Sequence, residues 1–190
     1  KKKKLKFKKL KNLEVLDLSD NQLKSIPKGL HKLKKLKKLF LNKNALTSLK
    51  GLEKVKYLKE LEVSNNTVSL DPRYISQLKK LEKLSMHKCG LISLPAEIEH
   101  LTTLKMLILP ENHIETVPVE IGNLQNLENL MLYKNQLRSI PKEIFTLKKL
   151  IWLDIYHNQI KTLDESIGNL QNLEILYLSH NQFKALPASL

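Results

Sequence analysis

Hydrophobic residues recur along the chain with a period of 23 residues. Units of the form LxxLxxLxLxxNxL follow one another eight times, and their leading positions are Leu10, Leu33, Val55, Leu78, Leu101, Leu124, Leu147 and Leu170. Within a unit, two leucines separated by one residue, such as Leu130 and Leu132, predict a short strand with one buried face. Each unit therefore predicts one strand, and the units must stack because none can bury its own apolar face alone.

The rest of each unit predicts the return path of a coil. Its apolar residues are three or four apart, which is typical of tight helical or extended turns, and prolines such as Pro118 and Pro141 interrupt it. One asparagine per unit, as at Asn135, predicts a ladder of buried carboxamides, and Cys89 takes this position in the fourth unit as a structural cysteine. The predicted fold is an α/β repeat, a solenoid with a parallel sheet on its concave face and short helical, 3-10 or extended turns on its convex face.

The repeat pattern also predicts the domain organisation. Residues 1–9 are a lysine-rich partial repeat or cap, and residues 10–190 form one repeat domain of about eight units, the last of them truncated. The second unit is one residue short and the third has Asp71 at a usual apolar position, so we expect irregular loops there. Neither end of the array carries an evident polar cap, which leaves self-association through the ends open.

Several segments resemble a known family closely. Ile140-Pro141-Lys142-Glu143-Ile144, the run from Ile121 to Glu128, and Asn135-Gln136-Leu137 are similar to the bacterial 23-residue leucine-rich-repeat proteins, and especially to spirochaete (leptospiral) members. The resemblance covers residues 10 to 190. It implies a right-handed solenoid without catalytic activity that binds protein or host-surface partners, often exported or exposed at the cell surface. It does not identify the ligand.

The concave face is where we expect a partner to bind. The side chains between and just after the paired leucines point into the concave opening, and apolar or aromatic residues are frequent among them. Contiguous exposed groups of this kind mark interaction sites. The alternative is that they only cover one another along the sheet. The predicted partner-binding residues are Phe40, Met106, Ile108, Met131, Tyr133, Trp152, Tyr156 and Tyr177.

A polar rim is predicted beside these residues. Adjacent members should lie about 4.8 Å apart across the sheet, so opposite charges can neutralise each other. His157 and His180 are a weak candidate pair for zinc or nickel, but their spacing is only the repeat period, and a solvated rim is the favoured interpretation. The predicted rim consists of His87, Lys88, Glu111, Lys134, Asp154, His157 and His180.

The charge of the chain is distributed unevenly. Residues 1–59 contain 20 of the 33 basic residues and 4 of the 19 acidic ones, so the first third is strongly cationic. This favours an alternative function, electrostatic binding of a polyanion such as a glycosaminoglycan, a nucleic acid or an anionic lipid. The scarcity of arginine and of aromatic residues among these lysines favours a merely solvated surface instead.

Motifs for catalysis and cofactors are missing from the sequence. There is no glycine-rich phosphate loop, no HExxH and no GxSxG, so we predict neither enzymatic activity nor a cofactor. No run of 18 apolar residues exists, so a transmembrane segment is not expected. The sequence therefore predicts a non-catalytic scaffold for protein–protein interaction, of unknown localisation, that grips a macromolecular partner on its concave face.

Overall fold

A computed structural model describes residues 7–190 of the chain. Its strands pair in parallel in sequential order and form one eight-stranded sheet. Each strand is only three residues long and is centred on the first of the two paired leucines. The strands are β1 (Val15–Asp17), β2 (Lys38–Phe40), β3 (Glu60–Glu62), β4 (Lys83–Ser85), β5 (Met106–Ile108), β6 (Asn129–Met131), β7 (Trp152–Asp154) and β8 (Ile175–Tyr177).

The central leucine of every strand lies in one buried column. The register pairs Leu16 with Leu39 in β1 and β2, and the same pairing continues to Leu153 and Leu176 in β7 and β8. The six central leucines of β2 to β7 are fully buried. Leu16 and Leu176 are only partly buried because each has a neighbouring strand on one side alone. The predicted solenoid with a shared apolar interior is confirmed.

Short helices close the coils opposite the sheet. Six of the segments that follow a strand contain a 3-10 helix, which suits the tight turns predicted from apolar residues three apart. A further 3-10 helix, Phe7–Lys9, precedes β1, and its Phe7 side chain is buried. The 3-10 helices after the strands are Leu30–Lys32, Leu52–Lys54, Ala96–His100, Val119–Asn123, Lys142–Thr146 and Glu165–Asn169.

The third coil differs from the others. Where the sequence predicts an irregular loop, the chain forms a short α-helix, α1 (Pro72–Ile75). The Asp71 carboxylate accepts a hydrogen bond from the Arg73 amide at 2.9 Å, and Pro72 occupies the first turn, where a missing N–H costs nothing. Asp71, which departs from the repeat pattern, therefore caps the N-terminus of α1.

The asparagines form the predicted ladder between coils. The Asn135 amide nitrogen donates to Leu132 O in its own coil and to Leu109 O in the preceding coil, both at 3.0 Å. Its side-chain oxygen accepts from the amide of Ile114 at 3.0 Å. The same pattern at Asn158 and its equivalents ties each coil to the one before it.

Cys89 is a weaker member of this ladder. It is buried, and its thiol lies 3.3 Å from Val63 O in the preceding coil. Burial raises the pKa of the Cys89 thiol to about 11, so the thiol stays protonated at neutral pH. Cys89 therefore packs in the interior and donates a weak hydrogen bond from its thiol, as the sequence predicts for a structural cysteine.

One residue in every coil has a left-handed backbone. It directly precedes the ladder position and has φ between 51° and 57°, although none of these residues is glycine. Such a conformation is disfavoured for most side chains, so the tight bend after the strand is held by the surrounding coil. The residues are Asp20, Lys43, Asn65, Lys88, Glu111, Lys134, His157 and His180.

Part of the predicted N-terminal segment is not described. Of the lysine-rich residues 1–9, residues 1–6 lie outside the described part of the chain, so the interpretation of this segment as a partial repeat or cap stays a prediction. Between residues 7 and 190, no helix has the length and apolar character needed to cross a bilayer.

Candidate functional site

The concave face has a polar N-terminal half and an apolar C-terminal half. In the polar half, the Glu60 carboxylate lies between two lysines of neighbouring strands, 2.8 Å from Lys38 Nζ and 2.9 Å from Lys83 Nζ. Lys83 Nζ also lies 2.6 Å from a Glu62 oxygen, and Asn42 donates to the other Glu62 oxygen at 3.0 Å. Charged groups of this half are therefore largely satisfied by one another.

These ion pairs fix the protonation of the polar half. Partial burial disfavours the ammonium of Lys83, but its hydrogen bonds to Glu62 and Glu60 outweigh this and raise its pKa. Burial also disfavours the charged form of the Glu60 carboxylate, but the hydrogen bonds from Lys38 and Lys83 outweigh this effect and lower the pKa of Glu60. The network stays charged at neutral pH and leaves little unpaired charge to attract a partner.

The C-terminal half carries a continuous apolar and aromatic surface, which we call the C-terminal patch. The register of β5 to β8 brings its members side by side, as in the pairing of Ile108 with Met131. Six of them are partly buried, and Tyr177 is the most exposed, with half of its surface accessible to solvent. The patch consists of Met106, Ile108, Met131, Tyr133, Trp152, Tyr156 and Tyr177.

Members of the C-terminal patch contact their neighbours along the sheet. The rings of Trp152 and Tyr177 meet edge to face with centroids 6.1 Å apart, and Tyr156 and His180 do the same at 5.0 Å. The Trp152 Nε1 atom is buried and has no hydrogen-bond partner within residues 7–190. The side chains thus cover one another in part, and also leave a surface accessible to a partner.

Phe40 does not belong to the C-terminal patch. It lies on β2, and the charged strands β3 and β4 separate it from β5. Its direct neighbours in the register are Asp17 and Glu62. Of the eight predicted partner-binding residues, seven are therefore brought together and Phe40 stands apart.

Glu111 is the centre of the charged part of the rim. Its carboxylate lies 3.1 Å from Lys88 Nζ, 3.3 Å from His87 Nε2 and 3.4 Å from Lys134 Nζ. The Lys88 ammonium, helped by His87 and Lys134, lowers the pKa of Glu111 to about 2. This carboxylate is therefore charged throughout the neutral range and holds the Lys134 ammonium at the edge of the patch.

Asp154 lies beneath the C-terminal patch and not in a solvated rim. The sequence predicts Asp154 as a member of the polar rim. In the structure only 6% of its surface is exposed, because it lies between the large side chains of Met131 and Tyr177 on the neighbouring strands. One carboxylate oxygen accepts a hydrogen bond from the Tyr156 amide at 3.1 Å. Burial raises the pKa of Asp154, and this single hydrogen bond offsets the effect only in part.

His157 and His180 are neighbours, as the repeat period requires. Their rings are stacked with centroids 5.9 Å apart and an angle of 18° between their planes. Residues 7–190 contain no group of three or more histidine, cysteine, aspartate or glutamate side chains arranged to hold a metal ion. The histidine pair therefore has no third ligand in that range, and metal binding remains a weak prediction.

An open pocket of about 500 Å³ lies over Asp154. Tyrosines from three successive coils and the rim residue Lys134 contribute to its walls. Sequence reasoning identified the tyrosines but not the depression that they form with the buried carboxylate, because the depth of a site depends on side-chain packing. The pocket is lined by Tyr133, Lys134, Asp154, Tyr156, Tyr177 and Ser179.

Family models match both halves of this architecture. Residues 125–183 match the "Leucine rich repeat" model, and residues 11–54 match the "Leucine Rich repeats (2 copies)" model. Together the two matches cover more than half of the chain. The chain belongs to the leucine-rich-repeat proteins. No curated protein sequence matches this leucine-rich-repeat chain significantly.

Solved structures of leucine-rich-repeat proteins resemble the chain over most of its length. A leucine-rich-repeat protein of Leptospira interrogans is 34% identical with a TM-score of 0.78, and the match covers 94% of this chain and 52% of that one. Internalin C2 of Listeria monocytogenes is 24% identical with a TM-score of 0.79, over 90% of this chain and 74% of that one, which supports the fold alone.

A third similar structure contains a bound partner. It is the leucine-rich-repeat ectodomain of the receptor kinase GASSHO1/SCHENGEN3 from Arabidopsis thaliana in complex with Casparian strip integrity factor 2. Its identity is 32% and its TM-score 0.71, over 96% of this chain and 26% of that one. The chain thus spans about half of the Leptospira protein and a quarter of the receptor ectodomain. Leucine-rich-repeat proteins of this kind are typically interaction scaffolds.

Proposed function

We propose that this chain binds a protein partner through the C-terminal patch of its concave face and performs no catalysis. The observation that carries the proposal is the contrast between the two halves of one sheet. Strands β2 to β4 neutralise their own charges, whereas β5 to β8 present a tryptophan, three tyrosines and two methionines that remain partly exposed. Residues of these types are enriched at the energetic centres of interfaces.

The bound neighbour supports the same function by analogy. The Arabidopsis receptor ectodomain has the same fold and was solved with its ligand bound. The similarity to the Leptospira protein agrees with a bacterial member of the family, for which a host or cell-surface protein is the partner that we favour. A purely structural role for the patch predicts no such exposure, because side chains that only cover one another need not retain accessible surface.

Absence of catalysis is part of the proposal. The polar groups of the concave face are engaged in ion pairs around Glu60 and Glu111, or lie singly as Asp154 does. The Cys89 thiol is buried with a raised pKa, which suits a packing residue and not a nucleophile. Within residues 7–190 we therefore assign no residue a catalytic role.

The test compares capture of a partner by the wild type and by a patch variant. Replacing Trp152, Tyr156 and Tyr133 with alanine should weaken the affinity for a captured partner by roughly 100-fold or more, since truncating one central residue commonly costs about 2 kcal/mol. The matched control replaces Phe40 and Tyr57, two aromatic residues outside the patch, and should bind as the wild type does. Both variants must retain the wild-type circular dichroism spectrum. Unchanged affinity of the patch variant would refute the proposal.

A second candidate function is electrostatic binding of a polyanion through the first third of the chain. It is favoured by lysines that have no carboxylate partner among the described residues, including Lys34, Lys54 and Lys56, which line one shallow depression beside Tyr57. Lys37 and Lys38, in contrast, pair with Glu14 and Glu60. Lys1 to Lys4 lie outside the described residues.

Heparin chromatography distinguishes this second function from the first. Replacing Lys34, Lys54 and Lys56 with glutamine should lower the salt concentration that releases the protein, because each phosphate or sulfate contact releases counterions. The patch variant should elute with the wild type. If the lysine variant elutes unchanged, the described part of this surface does not bind polyanions.

A further inference from the structure

We propose that the pocket over Asp154 receives a positively charged side chain of the protein partner, with arginine as the best fit. This inference rests on the proposed function and names the chemistry of the contact at its centre. The juxtaposition that carries it is a buried carboxylate below three tyrosines in an open pocket on the concave face.

The Asp154 carboxylate has lost most of its contact with water without gaining a cation in return. Its only hydrogen bond within residues 7–190 is the one that it accepts from the Tyr156 amide. No lysine, arginine or histidine nitrogen of the described residues lies within ion-pair distance of it. A buried charge without a partner costs free energy, so such groups are normally paired or serve a function.

Asp17 provides an internal comparison at the same repeat position. It also ends a strand, β1, and its carboxylate also accepts a hydrogen bond from the amide two residues later, Ser19 N at 2.8 Å. Asp17 is exposed, and this bond lowers its pKa. The local hydrogen bond is therefore the same at both sites. Asp17 lies on the edge strand β1, whereas Asp154 lies between Met131 and Tyr177 of two neighbouring strands and beside the tyrosines of the pocket, and this surrounding desolvates it.

The other charged groups around the pocket do not neutralise Asp154. The Lys134 side chain lines the pocket, but its ammonium lies 3.4 Å from the Glu111 carboxylate and is not within ion-pair distance of Asp154. The His157 and His180 rings stack on each other, and His180 also packs against Tyr156. The unpaired Asp154 carboxylate therefore leaves a place for a cation at the base of the pocket, whose walls are the three tyrosines, Ser179 and the Lys134 side chain that Glu111 holds.

A basic side chain satisfies both features of the pocket. The ring faces of tyrosine attract a cation, and the carboxylate supplies a charge-assisted hydrogen bond. Arginine is favoured over lysine because its planar guanidinium stacks on aromatic rings and is more weakly hydrated than an ammonium group. A neutral or acidic side chain would leave the Asp154 carboxylate desolvated and unpaired.

The test uses Trp152, the single tryptophan of the chain, as a reporter. Trp152 and Asp154 lie two residues apart on β7 and point to the same face of the sheet. The indole N–H resonance is followed by NMR while N-acetyl-arginine amide is added to the full chain. N-acetyl-citrulline amide, the neutral analogue of nearly the same shape, and N-acetyl-lysine amide are added in parallel.

We expect a saturable shift with the arginine probe, with a dissociation constant on the order of millimolar. The lysine probe should bind more weakly and the citrulline probe should give no saturable shift. Asp154→Asn should weaken arginine binding at least about tenfold, because the charge-assisted bond is lost. The matched variant Asp17→Asn should bind as the wild type does.

Each contrary result overturns the inference. An equal response to citrulline, full affinity in Asp154→Asn, an equal loss in Asp17→Asn, or no saturation up to roughly 100 mM arginine probe would each show that the pocket does not select a cation. Such a failure would not affect the proposed function, because capture of a protein partner by the aromatic residues is measured separately with the Trp152, Tyr156 and Tyr133 variant.

Discussion

Removing one central asparagine of the ladder should destabilise the protein strongly. In Asn135→Ala the buried amide of Ile114 loses its acceptor, and the bonds to Leu109 O and Leu132 O are lost as well. An orphaned buried donor costs about 1–3 kcal/mol and each further bond contributes about 1 kcal/mol. The carbonyls keep a second asparagine donor, from Asn112 and Asn158, which limits the damage. We therefore expect a loss of roughly 3–5 kcal/mol in the free energy of unfolding.

Urea denaturation followed by circular dichroism measures this loss as a lower midpoint at an unchanged slope. The control is Asn21→Ala, since Asn21 is exposed and its side chain bonds, within residues 7–190, only to Leu18 O and Ser19 O of its own coil. It should cost at most about 1 kcal/mol, because water can replace these bonds. If Asn135→Ala were no more destabilising than Asn21→Ala, the ladder would not be what joins the coils.

Two further substitutions test the irregular position of the ladder and the buried carboxylate. Cys89→Asn should raise the free energy of unfolding by about 1–2 kcal/mol, because the Val68 amide has no acceptor within residues 7–190 and an asparagine oxygen would supply one; an unchanged urea midpoint would contradict this. Burial raises the pKa of Asp154, so the folded wild type binds more protons than the unfolded chain and its stability falls as pH rises through the folded-state pKa. Asp154→Asn should therefore be at least as stable as the wild type near neutral pH, and it should lose any advantage well below pH 3.8, the unperturbed value. Thermal melts across this range check the sign, and a neutral-pH melting temperature clearly below that of the wild type would show that the charge stabilises the fold.

The repeat period was sufficient to predict the fold. A spacing of one residue between paired leucines defines the strands, and stacking then determines the order and register of the sheet, as the pairing of Leu130 with Leu153 illustrates. The asparagine ladder followed from the same period, because a buried carboxamide needs backbone partners. Both features depend on the positions of residues in the sequence alone, so the sequence predicts them.

Features that depend on neighbouring coils were harder to predict. Asp154 occupies a concave position like Asp17, but it lies between two neighbouring strands that carry large side chains, whereas Asp17 lies on the edge strand β1, so one carboxylate is buried and the other is exposed. Phe40 has the residue type of a binding residue, but charged strands separate it from the C-terminal patch. The left-handed residues were also not predicted, since half of them are lysine or glutamate, which carry no local signal for a positive φ.

Hydroxyl-radical footprinting of a captured complex tests the central claim most directly, because it maps the partner on the unmodified protein. Met106, Met131 and Trp152 are partly exposed and oxidise readily, so bound partner should strongly reduce their oxidation. Phe40 and Tyr57 should react equally with and without the partner, and the fully buried Met86 serves as an unreactive reference. Protection confined to Phe40, Tyr57 or the lysine-rich third, with the C-terminal patch as reactive as in the free protein, would contradict the account.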